Sequence, residues 1–267
     1  MIPIAKPNIG KEELNAVAEV LASGQLAQGS KVAEFEEKFA SYIGTDYAVA
    51  TSSGTSALLL IYKALNLKGK EILMPSFTFI ATATAALAAG AKPVFVDVDP
   101  KTFCISIKDA KRKITEKTAA IVPVHLYGLP ADMNAILELA EKHNLYVIED
   151  ACQAHGAEYK GKKAGSFGIA AAFSFYPTKN MTTGEGGMVT TNDEKLAEKI
   201  SMLRNHGQKS RYEHVLLGLN YRMTNIAAAI GLVQLKKLDK MNEKRIENAK
   251  YYLKKLKDVP NITLPYI

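Results

Sequence analysis

Two hydrophobic periods alternate along this chain. From Lys11–Ser23 the apolar residues Leu14, Val17, Ala18 and Leu21 fall three or four apart, which predicts a helix ended by Gly24. Ser30 stands where it would cap a second helix whose apolar stripe is Val32, Phe35, Phe39 and Ile43. Short apolar runs then predict strands at 47–50, 71–74, 93–96, 119–124 and 145–148. Helical patterns lie between them at 56–65, 79–89 (Ala-rich, ended by Gly90) and 133–141, and Val98-Asp99-Pro100 reads as a turn. Strands alternating with helices at this spacing predict an α/β fold, with a mostly parallel sheet covered on both faces.

Residues 165–191 break the rhythm. Two strand-like runs, 170–175 and 187–190, flank a loop that carries Lys179. Helical patterns resume at 193–203 and across 223–257, and no internal repeat or low-complexity linker is present. The end of the chain, 260–267, reads as the first strand of something further. The expected division is therefore 1–240 as the main domain and 241–267 as the start of a C-terminal domain.

Composition narrows the class. With 267 residues and 48% hydrophobic content, the chain can bury one large core, with room for part of a second domain. No apolar run approaches the roughly 20 residues needed to span a bilayer, and residues 1–7 lack the ordered regions of a secretory signal, so the expected location is the cytoplasm. The formal charge of +7 is concentrated late, at Lys236-Lys237, Lys240, Lys244-Arg245 and Lys254-Lys255. The solvated face of a helix accounts for that cluster, and attraction for anionic substrates such as nucleotide diphosphates is the other reading. No nucleic-acid-binding motif is present. Cys104 and Cys152 stand far apart, in no metal-ligand spacing, and read as buried thiols.

Three segments carry candidate chemistry. Thr51-Ser52-Ser53-Gly54-Thr55-Ser56 falls between a strand and a helix, where exposed backbone N–H groups suit a phosphate; an ordinary N-cap gives the same residues. Asp150 ends a strand, at the sheet edge where open α/β folds bind ligands, while Glu149 should face the other way by strand alternation. A helix cap or surface ion pair is the plainer role for Asp150, and a structural hydrogen bond the plainer one for Gln153. Lys179 follows Ser174-Phe-Tyr-Pro-Thr and precedes the glycine-rich Gly184-Glu-Gly186-Gly187. Most lysines are merely solvated, but apolar neighbours such as Phe173, Phe175 and Pro177 favour a neutral, nucleophilic amine. A lysine that forms a Schiff base and an acid that keeps a pyridine nitrogen protonated are what pyridoxal phosphate chemistry requires.

Seven motifs occur in order: Ser53-Gly54-Thr55-Ser-Ala-Leu, Pro75-Ser-Phe-Thr-Phe79, Val96-Asp-Val-Asp-Pro100, His125-Leu-Tyr-Gly128, Glu149-Asp150-Ala-Cys-Gln153-Ala-His155-Gly-Ala, Ser174-Phe-Tyr-Pro-Thr-Lys179 and Asn220-Tyr-Arg222-Met. Together they resemble the DegT/DnrJ/StrS family of nucleotide-sugar aminotransferases over essentially the whole chain. The resemblance implies the aspartate aminotransferase-like fold, type I among pyridoxal phosphate enzymes. That fold has a large domain with a seven-stranded sheet and a small C-terminal domain, here largely missing, and it works as a homodimer with active sites at the interface. By position it implies that Lys179 bonds the cofactor aldehyde, Asp150 pairs with the pyridine nitrogen and Gln153 lies near the phenolic oxygen. Phe79 would stack on the ring; Gly54, Thr55 and Ser174 would hold the phosphate; Asn220 would reach the partner subunit's cofactor. His155 and Arg222 fall in the motifs without an assigned role. The loop from Ser23 to Ser30 resembles a family segment that approaches the active site, although a helix–helix connection explains it as well.

The function implied by the resemblance is transfer of an amino group from an amino acid, glutamate in the first instance, to a keto sugar linked to UDP, dTDP or GDP, for polysaccharide or glycan synthesis. Two alternatives stand beside it. Some relatives are sugar dehydratases that carry histidine in place of the lysine, and a shortened member could serve as a non-catalytic regulatory or binding protein.

Overall fold

A computed structural model of the chain describes residues 5–266. Two helices, α1 (Lys11–Ser23) and α2 (Ser30–Ile43), precede the alternating region. That region runs β1 (Tyr47–Thr51), α3 (Gly54–Ala64), β2 (Glu71–Pro75), α4 (Ala81–Ala88), β3 (Lys92–Val96), α5 (Ile107–Lys113), β4 (Thr118–Ile121), α6 (Met133–His143) and β5 (Tyr146–Asp150). A small hairpin, β6 (Glu158–Tyr159) and β7 (Lys162–Lys163), leads to β8 (Ala170–Ser174) and β9 (Gly187–Thr191). Then follow α7 (Glu194–Arg204), a second hairpin of β10 (Gln208–Ser210) and β11 (Glu213–His214), and the long α8 (Asn225–Leu256).

Seven strands form one sheet in the order β1-β9-β8-β5-β4-β2-β3. The pairs among β3, β2, β4, β5 and β8 are parallel, and β9 runs antiparallel to both β8 and β1. The mostly parallel, seven-stranded sheet expected from the sequence is therefore present, with one reversed strand.

Strand periodicity sorts the core into two layers. Ile72 and Met74 of β2, Ala120 of β4, Ile148 of β5 and Ala170 and Ala172 of β8 face a cluster built with α3, α4 and α7. Their neighbours in sequence face the other way. Leu73, Ile121 and Val147 pack with α5 and α6, while Ala171, Phe173 and Met188 pack with α2 and α8. Phe35 and Phe39 of α2 meet Phe173 and Phe175 edge-on or tilted, with ring centroids 5.0 to 5.4 Å apart.

Several expectations need correction. Ser30 does not cap α2; the cap position is Gly29, and Ser30 is the first helical residue. The capping acceptor comes from another helix, because Asn225 Oδ1 accepts from the Val32 amide at 3.3 Å. The helix expected from residue 79 begins at Ala81, since the Thr82 amide closes a turn on the Phe79 carbonyl. Residues 260–266 form no strand, lacking a neighbouring strand to pair with, and Ile267 lies outside the described residues. The late lysines are mostly solvated, with Lys237 drawn into ion pairs with Glu12 at 2.7 Å and Glu13 at 2.8 Å. No helix among the described residues is long and apolar enough to cross a membrane.

Glu149 faces away from Asp150, as alternation requires. Its buried carboxylate accepts from His125 Nε2 at 3.0 Å, from the Gly165 and Phe167 amides at 2.7 Å and from the Gly168 amide at 2.8 Å. Burial pushes this carboxyl up, but the His125 and backbone hydrogen bonds outweigh it and hold it below the ordinary 4.5. Four donors converging on one acceptor weld the loop before β8 to β5.

Glu149→Ala would strand all four donors, with an expected loss of about 3 kcal/mol of stability measured by denaturant unfolding. Because the folded carboxyl sits below its unfolded value, its contribution is complete above pH 4.5 and is lost as pH falls through the folded value. The stability of the parent chain should therefore decline more steeply with acid below pH 4.5 than that of Glu149→Ala.

Candidate active site

At the C-terminal edge of the parallel strands lies a cavity of about 580 Å³. Its lining includes Gly54, Thr55, Phe79, Asp150, Gln153, Ser174 and Lys179, seven of the eight residues singled out in the sequence. They come from four segments, at or after the ends of β1, β2, β5 and β8, gathered because parallel strands all end on the same side.

One end of the cavity is the start of α3. Ser53 caps it, its Oγ accepting from the Ser56 amide at 3.1 Å, and Ser56 Oγ accepts in return from the Ser53 amide at 2.9 Å. The ordinary cap is therefore present, and the Gly54 and Thr55 amides lie in the first turn, where the helix itself supplies no acceptor. Glycine is required at 54, since a Cβ there would lie 2.8 Å from Ser174 Cβ and 2.9 Å from Cys152 Sγ. It is required again at 187, where a Cβ would come within 2.3 Å of the Ser53 carbonyl oxygen. These approaches draw β8, β9 and the post-β5 loop tightly around the helix start.

Asp150 is a buried acid in the cavity wall. Thr82 Oγ1 donates to its Oδ2 at 2.7 Å, and the Cys152 amide donates to its Oδ1 at 3.2 Å. Since the Thr82 proton is committed to Asp150, Thr78 donates to Thr82 in their 2.8 Å contact. Cys152 and Tyr62 are both pushed well up, by burial first and then by the Asp150 charge. Gln153 is oriented by the Tyr127 amide, which donates to its Oε1 at 3.0 Å.

Lys179 sits in the loop joining β8 to β9, its amide donating to the Tyr176 carbonyl at 2.9 Å. Phe173 and Phe175, expected as its apolar neighbours, belong to the core between sheet and helices; residues at and near the cavity include Tyr176, Thr178 and Cys152. Behind this loop lies His155, buried against Phe173 and Phe175 at 5.4 and 5.7 Å. Neither of its ring nitrogens has a partner among the described residues. Burial and then the Lys179 charge push it down to about 3, so it is neutral near pH 7.

Asn220 does not line the cavity. It bridges to Asn205, and its Oδ1 accepts from the Arg222 amide at 3.3 Å. The Ser23 to Ser30 loop is a helix–helix connection pinned to the start of α8, with the Asn225 side chain donating to the Gln25 carbonyl at 2.8 Å. Sequence reasoning missed Thr82 and Thr78, although a threonine on the otherwise Ala-rich 79–89 pattern was a usable signal. Cys152, read from the sequence as a buried thiol, is part of the wall. No cluster of metal-ligating side chains occurs among the described residues.

Comparison with known proteins matches this arrangement to a family. The model of the DegT/DnrJ/EryC1/StrS aminotransferase family matches residues 7–266, and the chain belongs to that family. It is 45% identical to the GDP-perosamine synthase of Caulobacter vibrioides, over all of this chain and 73% of that protein. Helicobacter pylori PseC, an aminotransferase involved in pseudoaminic acid biosynthesis, superposes with a TM-score of 0.93 at 37% identity, covering 97% of this chain and 71% of that one. Escherichia coli GDP-4-keto-6-deoxy-D-mannose-3-dehydratase, solved with hydrated pyridoxal phosphate, gives a TM-score of 0.95 at 32% identity over all of this chain and 75% of that one. The α/β fold is thus the one these enzymes share.

Gly54→Ala should distort the contact between α3, Ser174 and Cys152. The expected cost is about 2 kcal/mol, read as a lower unfolding midpoint, whereas alanine at the open Gly161 turn would not touch the cavity.

Proposed function

We propose that the chain is a pyridoxal phosphate-dependent aminotransferase that moves an amino group from an amino acid to a nucleotide-linked keto sugar. The observation that carries this reading is the single cavity lined by Lys179, Asp150 and the start of α3. A buried acid, a primary amine and unpaired helix-start amides suit, respectively, a pyridinium nitrogen, an aldehyde and a phosphate. When bound, the cofactor supplies an electron sink for the carbon that gains or loses the amine.

The chain's own residues divide the work. Gly54 and Thr55 offer backbone donors, and Ser174 a hydroxyl, to a phosphate at the positive end of α3. Asp150, steadied by Thr82, holds a proton on a ring nitrogen. Gln153 offers its amide to the phenolic oxygen, and Phe79, exposed at 67%, presents a face for stacking. Lys179 is the point of covalent attachment and, once free, carries a proton to and from the reacting carbon.

The finer assignments rest on the resemblance. Glutamate is the proposed donor, the cytoplasm the proposed location, and surface polysaccharide or glycan synthesis the proposed use of the product. A homodimer is supported by the exposed aromatic group of Phe77, Phe103 and Tyr127 and by exposed Leu217 and Leu219. In it Asn220, which lies off its own cavity, would serve the partner's. Residues 241–267 are proposed as the approach to a second domain, supported by the exposure of Ile246, Tyr251 and Tyr252 on α8. Sugar dehydration is the second reading, favoured by the close superposition on a dehydratase, and the lysine at 179 weighs against it.

Borohydride reduction of the cofactor-loaded chain followed by peptide mapping should label Lys179 alone; a label elsewhere, or none, sinks the assignment. Lys179→Ala should lose the cofactor's visible absorbance and all transamination, and Asp150→Asn should slow turnover at least about 100-fold. With keto sugar and an amino donor both supplied, a deoxy sugar and free ammonia in place of an amino sugar would instead establish dehydration.

A further inference from the structure

The Lys179 loop is held from behind by α8. Gln234 and Asn242 lie eight residues apart with buried Leu238 midway, so helical periodicity sets all three on one face. Gln234 Oε1 accepts from the Thr182 amide at 3.3 Å, while its Nε2 donates to the Asn8 carbonyl and to Glu13 Oε1, each at 2.8 Å. Asn242 Oδ1 accepts from Asn180 Nδ2 at 2.7 Å, and its Nδ2 donates to the His155 carbonyl at 2.8 Å. Reversing the Asn242 amide would set donor against donor and acceptor against acceptor, so its orientation is fixed.

Asn242 therefore ties together two loops that approach the cavity from different strands. One follows Asp150 at the end of β5 and carries Gln153 and His155, and the other carries Lys179 beside Asn180. The approach is close: a Cβ on Gly156, which has φ +82°, would lie 2.9 Å from Asn242 Nδ2. Asn242 lines the neighbouring cleft with His155 and Arg245 rather than the cavity itself, so it acts through the loops it joins.

We propose that Asn242 is a positioning residue that sets Lys179 in register with Asp150 and Gln153. This rests on the reading of Lys179 as the attachment lysine, and it adds a residue outside every motif that carried that reading. The bond to Asn180 fixes the lysine side and the bond to His155 fixes the acid side. Loss of either lets the amine drift relative to the acid, and a displacement of about 1 Å can cost about 100-fold in rate.

Hydrogen exchange on the cofactor-free chain tests the tether without any activity. Asn242→Ala should speed exchange of the amides at 179–183 about tenfold and leave β2 and β4 unchanged. Asn242→Asp, which keeps the acceptor for Asn180 but loses the donor to His155, should fall between. With pyridoxal phosphate and an amino donor added, Asn242→Ala and Asn180→Ala should each lower kcat about tenfold with KM within twofold. The double variant should be no worse than the poorer single, because both break one link. Glu247→Ala, on the exposed side of α8, is the control. Unchanged exchange at 179–183, or additive losses in kcat, would overturn the proposal. Should Asn242→Ala fail to fold, Asn180→Ala, with only its loop side chain truncated, gives the same exchange readout. If the parent chain takes up no cofactor, the reading of Lys179 fails, while the exchange result still decides whether the tether exists.

Discussion

The end of β5 is the point on which the rest of the structure turns. Consecutive carboxylates at 149 and 150 must face opposite sides of a strand, and here each side has its own use. Glu149 gathers one histidine and three backbone amides and so anchors the loop ahead of β8. Asp150 takes two donors on the other face and is left as an acid in the cavity wall. A one-residue slip of this strand would bury the cavity's acid among the four donors and put the anchor in the cavity. The register of β5 is therefore structural and functional at once.

Glycines set the second constraint. Around the start of α3 the backbones of β8, β9 and the post-β5 loop come so close that a single methyl at 54 or 187 finds no room. That closeness brings Ser174 and the α3 amides to one place, and it leaves the loop between β8 and β9 to carry Lys179. Fold and site are thus built from the same contacts.

Much of this was legible in the sequence. The α1 boundaries, the strand positions and the mostly parallel sheet follow from period and spacing, because buried strands and amphipathic helices leave strong local patterns; the count of seven strands in one sheet came from the family resemblance. Seven of the eight proposed site residues meet in one cavity for a related reason: each sits at or within a few residues after a strand end, and parallel strands end together. Less legible were features that depend on distant partners. The cap of α2 comes from Asn225, nearly two hundred residues away, so Ser30 looked like the cap by local rules. The α5 helix has too few apolar positions to stand out, and the two small hairpins are too short. The orienting role of Thr82 and the isolation of His155 depend on which side chains meet across the fold, which periodicity does not record. The neighbours of Lys179 were misjudged because Phe173 on β8 and Phe175 just beyond its end turn together into the core.

The one reversed strand has a consequence for how the molecule is made. Tyr47 of β1 pairs with Thr191 of β9, about 140 residues later, while β2 finds β3 and β4 within a few dozen residues. During synthesis β1 leaves the ribosome first among the strands, yet its hydrogen-bonding edge stays open until nearly three quarters of the chain has emerged. The parallel half of the sheet can assemble around α3 to α6 in the meantime, so closure of this edge is a late, long-range event and the interval before it the time of greatest exposure to misassociation.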